Sequence, residues 1–203
     1  MASSQQTGQQ VIRVEAEALM RLEALIDQSF DKAVSLIVGC KGHIVVTGVG
    51  KPWLIGQKIS ATFASTGTAS FALHPSEAMH GDLGRLTPGD VVIALSNSGA
   101  SEEVIRLLPL LKRDGIAVIG LTGRTDSELA RLSDVVLNLG RIEEACPLKL
   151  APSASTTAML AMGDALAIAV MEARGFTKED YARFHPGGAL GRKLMKVAEI
   201  GRA

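Results

Sequence analysis

Four stretches of this chain place side chains at spacings that suit chemistry on a small anion. The first is Ser96-Asn97-Ser98-Gly99-Ala100-Ser101, directly after the apolar run at 91–95 and before Glu102-Glu103. A Ser/Gly turn between a strand and a helix start points hydroxyls and backbone N–H groups outward, where the helix dipole favours negative charge. Ser101 suits the N-cap, and the two carboxylates after it suit the positive end of the helix. The second is Gly48-Val49-Gly50-Lys51. It resembles part of a P-loop, but its spacing fails that pattern and Pro52 stands where a hydroxyl residue is needed, which argues against a nucleotide triphosphatase. What is left is a tight glycine turn presenting one Lys. The third is the connection at 141–152, carrying Glu143 and Glu144 into the hydroxyl-dense helix start Ser153-Ala-Ser-Thr-Thr157. The fourth is His185 in a glycine-rich turn at 184–192. Taken singly, each also fits a capped turn, a solvated Lys or Glu, or a surface His.

The elements that must position these residues read as alternating strands and helices. Short apolar runs predict strands at 43–47, 70–73, 91–95, 117–121 and 135–139. Helical spacing predicts helices at 11–38 (one long or two abutting), 54–64, 102–113, 127–132, 153–173 and 177–181. Residues 1–10 are polar and aperiodic and read as a frayed end. Residues 74–84 read as a small, polar connection. Five strands alternating with helices call for an α/β fold, a three-layer α/β/α sandwich with a five-stranded parallel sheet in flavodoxin-like order. In such sheets ligands bind beyond the carboxyl ends of the strands, near the topological switch point, and the Gly48 and Ser96 turns both fall at that edge.

Composition removes several classes. The 203 residues make one domain with a sizeable core. Twenty-one basic residues balance 21 acidic ones, so no global field recruits nucleic acid or an anionic membrane. Aromatics are 3%, too few for base-stacking platforms. Cys40 and Cys146, with no signal-peptide pattern, read as reduced thiols. No apolar run reaches the roughly 18 residues of a membrane span. These features predict a soluble cytoplasmic protein.

Together the motifs match a family. Gly-Val-Gly-Lys51, Ala-Thr-Phe-Ala-Ser-Thr-Gly67, His-Pro-Ser-Glu-Ala-Met-His-Gly-Asp82, Ser-Asn-Ser-Gly99, Glu-Ala-Cys-Pro147, Leu-Ala-Pro-Ser-Ala-Ser-Thr-Thr157, Met-Gly-Asp-Ala165 and His-Pro-Gly-Gly-Ala-Leu-Gly-Arg192 stand in order. On these, residues 12–200 resemble the SIS (sugar isomerase) domain of bacterial D-arabinose-5-phosphate isomerases, enzymes at the head of Kdo and lipopolysaccharide synthesis. Three departures are visible. Pro52-Trp53 stand where the family commonly has Ser-Gly, Ala100 occupies an often acidic position, and the chain stops at Ala203 without the paired CBS domains of the common architecture.

The resemblance implies an aldose-ketose isomerase that interconverts ribulose 5-phosphate and arabinose 5-phosphate through an enediolate. It implies no metal and no redox cofactor. It singles out Lys51, Glu103, Glu144 and His185 as catalytic. Glu144 would carry the proton between C1 and C2, and His185 would open the sugar ring, reaching a neighbouring subunit's site in a homotetramer. Lys51 would offset charge on the enediolate oxygen, with Glu103 orienting Lys51 or His185. Phosphate would rest on Ser96, Asn97, Ser98, Gly99 and Ser101, with Gly50, Ser65, Thr66 and His80 completing the sugar pocket. His80 and His185 would form an inhibitory rather than catalytic metal site. The same cradle also fits an isomerase of hexulose 6-phosphate or sedoheptulose 7-phosphate, or a sugar-phosphate sensor without chemistry.

Overall fold

The computed structural model describes residues 3–186, so the motif ending at Arg192 lies outside the described residues from Gly187 onward. Five parallel strands, β1 (Ile44–Gly48), β2 (Ser70–Ala72), β3 (Val91–Leu95), β4 (Ala117–Thr122) and β5 (Val135–Asn138), form one sheet in the order β2-β1-β3-β4-β5. Every residue of β1 and β3 is buried. That is why their sequences run apolar instead of alternating: central parallel strands are covered on both faces.

The two faces carry separate cores. On one, Ile44, Val46 and Ile93 pack with α1 (Ser4–Glu23), α2 (Gln28–Gly39), α3 (Lys51–Ser65) and α7 (Ala154–Ala173). On the other, Val45, Val92 and Ala94 pack with α4 (Pro75–Met79), α5 (Glu102–Arg113) and α6 (Glu128–Leu132). A short α8 (Lys178–Phe184) follows α7, opened by a capping box between Thr177 and Asp180.

Three expectations need correction. Residues 4–10 are helical, not frayed: Ser3 and Gln6 form a reciprocal capping box, so α1 starts seven residues before its first apolar position. The 74–84 connection holds α4 and a 3-10 turn at Asp82–Arg85, both too short for periodicity to show. Finally, α7 is by length and composition a helix able to cross a membrane, with a mean hydropathy of 1.5 over its best 18-residue window. Half of that window is buried inside the chain. A helix that is apolar all round also belongs in a core, and α7 packs there against α1, α2 and α3.

The contact between α3 and α7 is the closest of these. A Cβ on Gly163 would lie 2.3 Å from Cδ1 of Ile59, so only glycine lets the two helices approach this far. Beside this contact, Lys58 Nζ donates to Asp164 Oδ1 at 2.6 Å and Thr62 Oγ1 donates to the same oxygen at 3.1 Å. Replacing Gly163 by Val is expected to lower stability by about 1–3 kcal/mol, the usual range for overpacking. The check is the midpoint of thermal unfolding, and an unchanged midpoint would show that the helices part without cost.

Candidate active site at the sheet's carboxyl edge

The strand order makes a crevice between β1 and β3. The chain leaves β1 for α3 on one face and leaves β3 for α5 on the other, so the two connections diverge at the carboxyl edge. Gly48 pairs in register with Leu95, which sets the glycine-lysine turn and the serine turn side by side as the crevice's two lips.

The serine turn forms a cradle. Ser96 is 1% exposed, and its Oγ lies 2.9 Å from Ser101 Oγ and 3.5 Å from Ser98 Oγ. Ser101 does occupy the N-cap of α5, but its hydroxyl makes no capping bond and stays with Ser96 instead. The N–H groups of the first turn of α5 are therefore left for a ligand. Gly99 has φ +65, and a Cβ there would sit 2.0 Å from Ser127 Oγ. The turn is thus pressed onto the start of α6, where Leu129 N–H donates to Gly99 O at 3.0 Å. Asn97 turns its backbone outward from the cradle: its carbonyl accepts from Gly123 N–H at 3.0 Å and from Thr122 Oγ1 at 3.3 Å.

The helix register sets Lys51 and Glu144 at the same end of the α3–α7 pair. Ile59 faces Gly163, and just past the ends of the two helices Phe176 covers Gly67, so α3 and α7 run parallel. Counting back about two turns along each helix brings Lys51 level with the first turn of α7. That first turn is where Glu144 sits. Its Oε2 accepts from Ser153 N–H at 2.8 Å, Ser155 N–H at 3.3 Å and Ser153 Oγ at 3.4 Å, while Oε1 accepts from Ser155 Oγ. These donors at a helix N-terminus are complementary to a carboxylate anion. The hydroxyls at 153 and 155, expected to meet a polar ligand, are engaged by Glu144. Lys51 is exposed and has no ion-pair partner among the described residues. Glu103 is exposed at the second position of α5, beside the cradle. Starts of α3, α5 and α7 therefore lie at the same edge of the sheet and bring hydroxyls, a cation and two carboxylates to it.

The other expected site residues divide between the two ends of the sheet. Gly50, with φ +66, is the N-cap of α3 and holds Lys51 at the lip. His80 is exposed at the C-cap of α4, on the connection that leaves β2 at the carboxyl edge. Ser65 and Thr66 do not reach the crevice within this chain: they close the far end of α3, fifteen residues long, and donate their hydroxyls to carbonyls of Thr62 and Phe63. His185 also lies away from it. Phe184 stacks on Phe176 with centroids 6.0 Å apart, and Phe176 covers Gly67 just past that same far end of α3. There His185 stacks on Tyr181 at 3.8 Å, and its Nδ1 lies 2.9 Å from Tyr181 O. One chain therefore does not bring His80 and His185 together, and no metal-holding cluster of three His, Cys, Asp or Glu exists among the described residues.

Two residues at this edge escaped the sequence reading. Trp53 packs edge-on against His74 with centroids 5.1 Å apart, and His74 Nδ1 accepts from Ser76 N–H at 3.3 Å. The pair ties the start of α3 to the start of α4. The available signal was the chain's one Trp, two residues after Lys51. Close to Glu144, the Cys146 thiol is held below its ordinary range by backbone N–H groups, chiefly those of Ala151 and Leu148.

Residues 36–169 match the family described as SIS domain. The arabinose 5-phosphate isomerase KdsD of Escherichia coli K12 is 56% identical over 191 residues, 94% of this chain and 58% of that protein. KdsD of Pseudomonas aeruginosa is 53% identical over 195 residues, covering 96% of this chain and 60% of its own length. This chain thus spans under two thirds of these curated relatives. Among solved structures, a protein of E. coli CFT073 in complex with arabinose 5-phosphate is 41% identical with a TM-score of 0.82, covering 88% of this chain and 95% of that one.

Two outcomes follow from the geometry. Ser155→Ala removes the one hydroxyl on Glu144 Oε1 and is expected to lower stability by about 1–2 kcal/mol, measured by urea unfolding; no change would mean that this bond adds nothing to the α7 cap. With Cys40 replaced by Ser, alkylation of Cys146 by iodoacetamide should rise with pH around a midpoint below that of a free thiol. A midpoint at or above it would contradict the backbone cradle around the sulfur.

Proposed function

This chain belongs to the SIS domain family, and from that premise we propose that it interconverts D-ribulose 5-phosphate and D-arabinose 5-phosphate. The observation that carries the reading is Glu144, a carboxylate fixed at the start of α7, level with Lys51 and at the same sheet edge as the Ser96–Ser101 cradle. The likeness to KdsD enzymes and to a protein solved with arabinose 5-phosphate supports the choice of a pentose 5-phosphate.

The chemistry needs a base at C1 and C2, stabilisation of charge on oxygen, and a hold on the phosphate. In the proposed mechanism the phosphate rests on the hydroxyls of Ser96, Ser98 and Ser101 and on the start of α5. Glu144 removes a proton from C1 of the ketose, leaving an enediolate, and returns it to C2 to give the aldose. The Lys51 ammonium offsets the negative charge on the enediolate oxygen. The proton of O1 leaves as O2 gains one, so the exchange balances without any redox partner. Glu103, close to the cradle, orients Lys51 or His185.

Ring opening of arabinose 5-phosphate falls to His185 of a second subunit. The far-end location of His185 supports this: within one chain it stands at the opposite end of α3 from Lys51. We assign the working form as a homo-oligomer, a tetramer, in the cytoplasm, with product committed to Kdo and lipopolysaccharide. Apolar side chains left exposed around α3, α7 and the loop after Glu144 (Leu54, Ile168, Leu148, Leu150) fit burial between copies.

The direct test is conversion of arabinose 5-phosphate with chelator present. Glu144→Gln should lower kcat by at least about a hundredfold, while Ser155→Ala, which keeps the carboxylate and loses only the rotating hydroxyl on Oε1, should cost far less. A Glu144→Gln enzyme with near-normal turnover sinks Glu144 as the base. For the shared site, separately inactive His185→Ala and Glu144→Gln chains are refolded together. Mixed oligomers containing one intact site should regain measurable turnover, and a mixture as dead as both parents refutes the cross-subunit assignment.

A further inference from the structure

Next to the crevice, on the β4 and β5 side of the serine turn, lies a second polar hollow of about 350 Å³. Its walls include Asn97, Ser98, Arg124, Arg141 and Ile142, and it adjoins a smaller hollow of about 260 Å³ that shares both arginines and adds Asp126 and Asn138. Neither Ser96, Ser101, Lys51, Glu103 nor Glu144 lines either one. We propose that this hollow is a second oxyanion site, built for a small metabolite carrying two neighbouring anionic groups, and that it is distinct from the phosphate cradle.

The two guanidiniums come from separate strand ends, Arg124 after β4 and Arg141 after β5, and face one space. Arg124 is only loosely engaged, with its Nε and Nη2 each 3.4 Å from an oxygen of Asp126. Arg141 has no ion pair among the described residues. Both nonetheless act on one carboxyl: Asp126 is held below its ordinary range, first by its hydrogen bonds to Arg124 and also by the charge of Arg141. One carboxylate against two guanidiniums leaves the hollow net positive. Arginine suits phosphate and carboxylate because its planar fork donates two parallel N–H bonds, and two forks match two adjacent oxyanions. Asn97 backs the wall, its side-chain oxygen buried behind it without a hydrogen-bond donor among the described residues.

Asn97 and Ser98 belong to both the cradle turn and the hollow's wall. An anion between the arginines therefore opposes a sugar phosphate across one serine turn, and its occupancy raises the KM for the sugar phosphate. Two ligand chemistries share the required pair of oxyanions, and inorganic pyrophosphate and malonate represent them as probes.

The experiment titrates each probe calorimetrically into three proteins: the unmodified chain, an Arg124→Gln/Arg141→Gln variant and a Ser96→Ala/Ser101→Ala variant. Saturable binding is expected with the unmodified chain, weakened at least about tenfold by the arginine pair and kept in the serine pair. Pyrophosphate alone binding assigns a diphosphate ligand, and malonate alone assigns a dicarboxylate. The proposal is overturned if neither probe binds saturably, or if the arginine variant binds as tightly as the unmodified chain. It is also overturned if the serine variant loses binding too, since the ion would then occupy the cradle. Because the readout is binding, a failure of the isomerase reading leaves this test intact.

Discussion

The site depends on how closely α3 can lie against α7. At Gly163 the absence of a side chain lets Ile59 settle into the α7 surface, and Asp164 then anchors both Lys58 and Thr62. Fixing the helices in this parallel register fixes where their first turns end. Lys51 opens α3 and Glu144 caps α7, so a packing decision made near the middle of the two helices determines whether cation and carboxylate face one crevice. A shift of one turn would move Lys51 by about 5 Å relative to Glu144, farther than catalytic geometry tolerates.

The sheet supplies the third helix start. With β1 and β3 adjacent and their crossovers on opposite faces, α3 and α5 diverge from neighbouring strand ends. Three helix N-termini then lie at one edge, each with its partial positive charge, the N–H groups of α5 left unbonded and those of α7 taken up by Glu144. In the proposed reaction a sugar phosphate and an enediolate are both anions, so the same arrangement would serve binding and charge stabilisation. It also explains why the residues at the crevice are small or hydroxylated: bulk there would block the backbone donors.

Much of this was legible in the sequence because it is local. The 91–95 strand, the serine turn and α5 were read within a residue of their observed bounds, since burial, turn chemistry and helix spacing change abruptly there. The order of the sheet was legible from alternation and from the family motifs. What escaped is long-range. Ser65 and Thr66 lie in a motif beside active-site motifs, yet a fifteen-residue helix carries them to the other end of the sheet. The Trp53–His74 contact joins two elements with no shared periodicity. The capping of α7 by Glu144 spans nine residues of irregular loop, and no local pattern encodes it.

That cap bears on how a carboxylate can be both held still and chemically available. The two oxygens of Glu144 are treated differently. Oε2 takes two backbone N–H donors that cannot turn away, together with the Ser153 hydroxyl. Oε1 takes only the hydroxyl of Ser155, which is itself buried. A backbone N–H can donate and nothing else, so protonating Oε2 would set a proton against fixed donors. A serine hydroxyl rotates, donating to an ionised oxygen and accepting from a protonated one. In the proposed mechanism the proton taken from the sugar therefore travels on Oε1, with Ser155 following its charge and the backbone of α7 keeping the carboxylate aimed throughout.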